Sequence, residues 1–252
     1  MNHKKIQLTT FVGILILLLT NLSFAETIHV AVATNFTNAA KEISKSFSEK
    51  TGHEVILSYG ASGLLYMQIK ESAPFHVFLS ADMEFPKKLA DENFGVTASQ
   101  FTYAIGKLVL WSKKLELSPS DQILKNGNFT KISIANPALA PYGSAAIEVM
   151  NALKVYDTLR SKIVQGNSIA QAFQFIDTDN AEIGFIAQSQ IIDRKDGMSW
   201  LIPQNLYTQI SQDAILLKSA EKNIAAQEFL IFLKGETAKD IIRKYGYGSL
   251  NQ

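Results

Sequence analysis

Residues 28–47 read IHVAVATNFTNAAKEISKSF. The apolar run Ile28–Ala33 has the character of a buried β-strand. It ends abruptly in Thr34-Asn35-Phe36-Thr37-Asn38, after which Ala39, Ala40, Ile43 and Phe47 fall at helical spacing, up to a stop at Thr51-Gly52. A strand that passes through small uncharged polar residues straight into a helix is the repeating unit of an α/β protein. The polar residues either cap the helix or hold something against its positive end.

The same alternation extends outward. EVILSYG (54–60) is a second strand, SGLLYMQIKES (62–72) a helix, HVFLSAD (76–82) a third strand and FPKKLADEN (85–93) a short helix. Strand–helix–strand order at these lengths means parallel pairing through right-handed crossovers. FTYAIGKLVLWSKK (101–114) is long for one strand. The pattern then restarts with ISIAN, the helix YGSAAIEVMNALKVY, a short strand at SKIVQG, the helix SIAQAFQFIDT and the strand AEIGFIA. QDAILLKS (212–219) is another strand, and AAQEFLIFLKGETAKDIIRKYG supplies two closing helices. Two α/β sets separated by two long candidate strands, near 101–113 and 210–219, predict two lobes with mainly parallel sheets. The expected division is 26–107 with 216–252 for lobe 1 and 108–215 for an inserted lobe 2, with a ligand cleft between them at the carboxyl ends of strands.

Ahead of this lies an export signal. MNHKK is a short basic segment, FVGILILLLTNLSF an apolar core, and Ser23-Phe24-Ala25 has the small-x-small form of a cleavage site. The sequence thus predicts a signal peptide over 1–25, cleavage after Ala25 and export across a bacterial inner membrane. The chain has no cysteine, which excludes a lipoprotein anchor. With 24 basic and 23 acidic side chains, net charge +1 and no basic stripe, nothing points to nucleic acid.

Four segments at strand-to-helix junctions share one chemistry: ATNFT (33–37), GASG (60–63), APYGS (140–144) and GNSIA (166–170). Each is rich in Ser, Thr, Asn or Gly, and none contains Lys, Arg, Asp or Glu. Each falls where unpaired N–H groups and a positive helix dipole are expected. Any one of them is accounted for as an ordinary cap, and Tyr142 could simply pack in a turn. Four facing one cleft would form a cage of neutral donors, which is an anion site. A hydrogenphosphate brings a proton that needs an acceptor, and these segments offer no carboxylate. A fully deprotonated tetrahedral dianion suits donors alone, each charge-assisted bond contributing about 1.5–3 kcal/mol.

VAVATNFTNAAKEI, SYGASGLLYMQI, HVFLSAD, ANPALAPYGSAAIEVM and FLKGETAKDIIRKYGYG, in this order, resemble the periplasmic molybdate-binding proteins of ABC transporters, and the resemblance covers nearly all of the exported chain. It implies a type II periplasmic-binding fold of two hinged lobes. It also implies a periplasmic, monomeric protein that is not an enzyme, binds molybdate or tungstate without a further cofactor, and delivers the ion to an inner-membrane ABC permease. Carried across position by position, the donors fall at Thr34 or Asn35 and Ser62 in the first lobe. In the second they fall at Tyr142 and Ile169, the latter through its backbone N–H. One pattern in the family has a serine in the first segment and a later tyrosine donor after a GIVYG-like strand. Here GFIAQ puts Ala187 at that place, and Tyr142 fits a second pattern in which the tyrosine comes from APYG.

A binder of sulfate or a small carboxylate is the nearest rival. A secreted hydrolase fares worse: SYGASGL is not G-x-S-x-G, and His29, His53 and His76 have no metal-ligand spacing. Asn38 and Ser144 are expected to cap helices or support the donors. Asp82 is expected to cap a helix or tie the lobes, since a carboxylate repels an anion.

Overall fold

The computed structural model describes residues 25–117 and 121–248. The signal segment and its cleavage site lie outside them, apart from Ala25. In chain order the elements are β1 (Thr27–Ala33), a 3-10 turn (Thr34–Phe36) running into α1 (Thr37–Thr51), β2 (Glu54–Gly60), α2 (Ser62–Lys70), β3 (Val77–Leu79) and α3 (Glu84–Asp91). Then follow β4 (Phe101–Gly106), β5 (Leu108–Ser112), α4 (Gln122–Asn126), β6 (Ile132–Ala135), α5 (Pro141–Ala152), α6 (Tyr156–Leu159) and β7 (Ile163–Gly166). The last are α7 (Ile169–Asp177), β8 (Ile183–Ala187), β9 (Met198–Leu201), β10 (Ile210–Leu216), α8 (Ile224–Lys234) and α9 (Glu236–Lys244).

These strands form two five-stranded sheets, ordered β2-β1-β3-β10-β4 and β7-β6-β8-β5-β9. Alternate residues of β1 serve opposite faces of the first sheet. Ile28, Val30 and Val32 join the α1 stripe Ala39, Ala40, Ile43 and Phe47 and helices α8 and α9, while Ala31 packs with Leu65 and Ile69 of α2. The period-2 and period-3.6 patterns of the opening segment meet in one core.

The sheets are mixed rather than mainly parallel. β1 runs parallel to β2 and β3, and β6 parallel to β7 and β8, as βαβ units require. β10 is antiparallel to β3 and β4, and β5 antiparallel to β8 and β9. The antiparallel pairs are made by the strands next to the crossings, which enter a sheet from the other lobe instead of through a crossover helix.

The first crossing divides what reads as one long strand. Phe101–Gly106 pairs in the first sheet, Leu108–Ser112 in the second, and Lys107 stands between. The second crossing is the segment 202–209, before β10. All of β10 is paired in the first sheet, so the 215/216 division expected from sequence falls inside a strand. β9 was not apparent in the sequence because MSWL, at a sheet edge, is largely exposed and lacks an apolar run.

Candidate oxyanion site

Four strand-to-helix junctions converge between the sheets on a cavity of about 10 Å³, a volume on the scale of one water molecule. Its walls are Ala33, Thr34, Asn35, Gly60, Ala61, Ser62, Ala81, Ala140, Pro141, Tyr142 and Ile169, none of them charged. All five residues expected from the sequence to be donors therefore line one space. Ala33, Ala61 and Ala81 from the first sheet's side pack in the same apolar cluster as Tyr142, Ala140 and Ile169 from the second. Their small side chains let the two walls approach.

The backbone geometry follows from where the helices begin. Thr34 and Asn35 open the 3-10 turn, Ser62 opens α2, Tyr142 follows Pro141 at the start of α5, and Ile169 opens α7. First-turn N–H groups have no carbonyl a turn earlier to bond, and helix dipoles add partial positive charge. Proline at the start of α5 costs no hydrogen bond and pre-sets the backbone. Of the neighbouring first-turn groups, Gly63 N–H is taken by Leu139 O at 2.9 Å, a direct link between the walls. Gln171 N–H is capped by Ser168 Oγ at 3.3 Å.

Ser62 and Tyr142, each 1 % exposed, are oriented by the same device. Ser62 Oγ accepts from Ala81 N–H at 2.9 Å, and Tyr142 Oη accepts from Gln212 Nε2 at 3.2 Å. With an acceptor position filled, each hydroxyl has its proton left to donate. Burial and the nearby Tyr247 and Tyr207 hold the Tyr142 hydroxyl far above its usual pKa, so it stays a neutral donor. Ser62 is not the cap of α2; Ala61 is at the N-cap and makes no side-chain bond.

The side chain of Asn35 is already occupied. Its Nδ2 donates to Gln212 Oε1 at 2.8 Å and Tyr247 Oη at 3.2 Å, while the Asn35 backbone carbonyl accepts from Tyr247 Oη at 2.7 Å and Ser189 Oγ at 2.9 Å. Only its backbone N–H is left for a ligand. Ile169 likewise has its carbonyl bound by Gln190 Nε2 at 3.0 Å, and the other end of that amide accepts from Ala187 N–H at 2.9 Å. Ala187 is fully buried, offers no side-chain donor and does not line the cavity.

Among the supporting residues, Asn38 is exposed on α1, and Ser144 Oγ donates to Pro137 O at 2.8 Å in the loop before α5. Asp82 caps the first turn of α3, accepting from Phe85 N–H at 2.9 Å. Burial pushes its carboxyl up to about 6. Tyr103, Ser189, Gln212 and Tyr247, which brace the cavity from behind, were not anticipated. The available signal was the polar run Ser211-Gln212-Asp213 inside a strand whose other residues are apolar, since a buried polar side chain must have partners.

A model of the bacterial extracellular solute-binding protein family matches residues 28–248. The molybdate-binding protein ModA of Rhodobacter capsulatus is 52 % identical over 218 residues, covering 86 % of each chain. ModA of Azotobacter vinelandii is 48 % identical over 228 residues, covering 89 % of this chain and 90 % of the relative. The solved periplasmic molybdate-binding protein of Azotobacter vinelandii superposes with a TM-score of 0.85 at 40 % identity, over 89 % of this chain and all of that one. The chain belongs to the bacterial extracellular solute-binding proteins, in one family with these molybdate-binding relatives.

Proposed function

We propose that the protein captures molybdate, with tungstate bound comparably, in the periplasm and delivers it to an inner-membrane ABC permease. The observation that carries this reading is the composition of the cavity. Thr34, Asn35, Ser62, Tyr142 and Ile169, all at helix starts, line a space with no charged wall, and the donors proposed are their first-turn N–H groups with the hydroxyls of Ser62 and Tyr142. A permanently deprotonated tetrahedral dianion accepts at every oxygen and brings no proton. Molybdenum held as its oxyanion needs no side-chain ligand to the metal. The relatives are solute-binding proteins, and binding rather than catalysis is the role proposed here.

A tetraoxyanion is larger than a water molecule, so the walls must part to admit it. The crossings at Lys107 and 202–209 are where the chain can bend. The anion would first meet one wall and then draw the other onto it, shifting the population towards the closed form as a monomer. Sulfate has the same charge and shape but shorter bonds, and helix termini fixed for a larger ion leave some of its oxygens short of donors.

The test is the double variant Ser62→Ala/Tyr142→Phe. Loss of two charge-assisted bonds of about 1.5–3 kcal/mol each should weaken molybdate binding well over tenfold, with the far-ultraviolet circular dichroism unchanged. Wild-type affinity in that variant would refute the donor set.

A further inference from the structure

We propose that Gln212 is a positioning residue that fixes the Tyr142 hydroxyl as a donor to the bound oxyanion, through a relay that begins at Tyr247. The inference rests on the anion-binding reading of the cavity. Gln212 is fully buried in β10 and does not line the cavity. A tyrosine hydroxyl can donate or accept, and what surrounds it decides which.

The sense of each bond follows from the one before. Tyr247 Oη lies 2.7 Å from the Asn35 backbone carbonyl, which can only accept, and 3.1 Å from Ser189 Oγ, whose own proton goes to that carbonyl, so the Tyr247 proton is committed to this pair. The Tyr247 oxygen must then accept from the Asn35 side chain, which turns Nδ2 towards it at 3.2 Å. That same Nδ2 is 2.8 Å from Gln212, whose near end must therefore be Oε1. Tyr103 Oη, 3.1 Å from Oε1 and 3.0 Å from the Ser80 carbonyl, has one proton to share between these two acceptors, so the orientation of the amide rests on Asn35. The far end of the amide is Nε2, which carries only protons and meets Tyr142 Oη at 3.2 Å. Tyr142 accepts from it, and its single proton is left for the cavity.

This arrangement selects by protonation state. A wall fixed as donor-only bonds a fully ionised oxyanion, while a hydrogen-bearing anion meets no acceptor for its proton. Gln212→Glu would reverse the relay. An ionised carboxylate takes the Tyr142 proton for itself and repels the dianion. A buried carboxyl has its pKa raised, and once protonated it can again donate to Tyr142. The other ionisable groups nearby are Tyr103, Tyr142, Tyr207 and Tyr247, all shifted upward by burial, and the carboxylates of Asp82 and Asp213. They are common to all variants, so the ratio to wild type at each pH isolates the new carboxyl.

The experiment is calorimetric titration of molybdate into wild type, Gln212→Glu and Gln212→Met across pH 5.5 to 8. At the alkaline end Gln212→Glu should bind about 100-fold more weakly than wild type, and about tenfold of that loss should return at the acidic end. Gln212→Met, which removes the hydrogen bonds and adds no charge, should lose less than about tenfold at every pH. A Gln212→Glu protein that binds like wild type, or whose loss does not change with pH, would overturn the proposal. Should that variant not fold, Gln212→Met is combined with Tyr142→Phe: the methionine should have no further effect once the hydroxyl is gone, and an equal effect in both backgrounds would overturn the relay. Failure of wild type to bind any oxyanion would instead refute the proposed function.

Discussion

Tyr142, as a proposed donor, depends on other residues leaving room for its hydroxyl. Gly106, the last residue of β4, has no side chain at the point where a Cβ would land on the Tyr142 hydroxyl and come within 2.7 Å of Gln212 Nε2. Gly106→Ala should displace both groups, weakening molybdate affinity by about tenfold or more and costing about 1–3 kcal/mol of stability, read by calorimetry and urea unfolding. Asp82 carries a separate consequence for pH. Its carboxyl titrates near 6 in the fold against an ordinary 3.8, raised by burial and opposed by the bonds from Phe85 and Ser80. The folded state therefore holds the extra proton between those values, and stability falls as pH rises through about 4 to 6. Asp82→Asn keeps an oxygen for Phe85 N–H and removes the charge. Its stability should equal that of wild type near pH 4 and exceed it at pH 7 by on the order of 2–3 kcal/mol, measured by urea unfolding without anion.

The elements that carry the cavity were legible in sequence because each couples a buried strand to a helix start, and both leave strong patterns. The segment 28–47 alone specified β1, α1 and the polar turn between them, and left open whether that turn caps the helix or holds a ligand. The four segments stood out because small uncharged residues cluster at helix starts, whereas Thr34, Ser62, Tyr142 and Ile169 were singled out within them by the resemblance to the molybdate-binding family. What those residues do with their side chains was less legible. Asn35 looks like a donor in sequence, yet its amide is committed to Gln212 and Tyr247, partners some 180 to 210 residues away. The break at Lys107 was hidden because Phe101–Ser112 is apolar on both sides of it, and pairing rather than composition assigns each half to a sheet. Contact between helix starts also has a test. A Cβ at Gly63 in α2 would lie 3.1 Å from Leu139 Cα and from Phe85 Cζ. Gly63→Val should hold the two walls apart and lengthen the Gly63 N–H to Leu139 O bond. Molybdate affinity should drop about tenfold while the melting temperature of the anion-free protein changes little, as scanning calorimetry with and without molybdate would report.

At the scale of the molecule, the central claim is that two α/β lobes close on a dianion that accepts hydrogen bonds and offers none. The cavity sits at the seam and is lined by Thr34, Asn35 and Ser62 from one side and by Tyr142 and Ile169 from the other, so each lobe would contribute part of the proposed donor set. Ser189 Oγ to Asn35 O, Gln212 Nε2 to Tyr142 Oη and Gly63 N–H to Leu139 O tie the sides together behind and beside the cavity. The most direct measurement is isothermal titration of the exported chain, stripped of bound anion, with molybdate, tungstate, sulfate and phosphate in turn. Tight one-to-one binding of molybdate and tungstate is expected, with sulfate and phosphate orders of magnitude weaker. Sulfate or phosphate binding as tightly as molybdate, or no binding of any of the four, would contradict it.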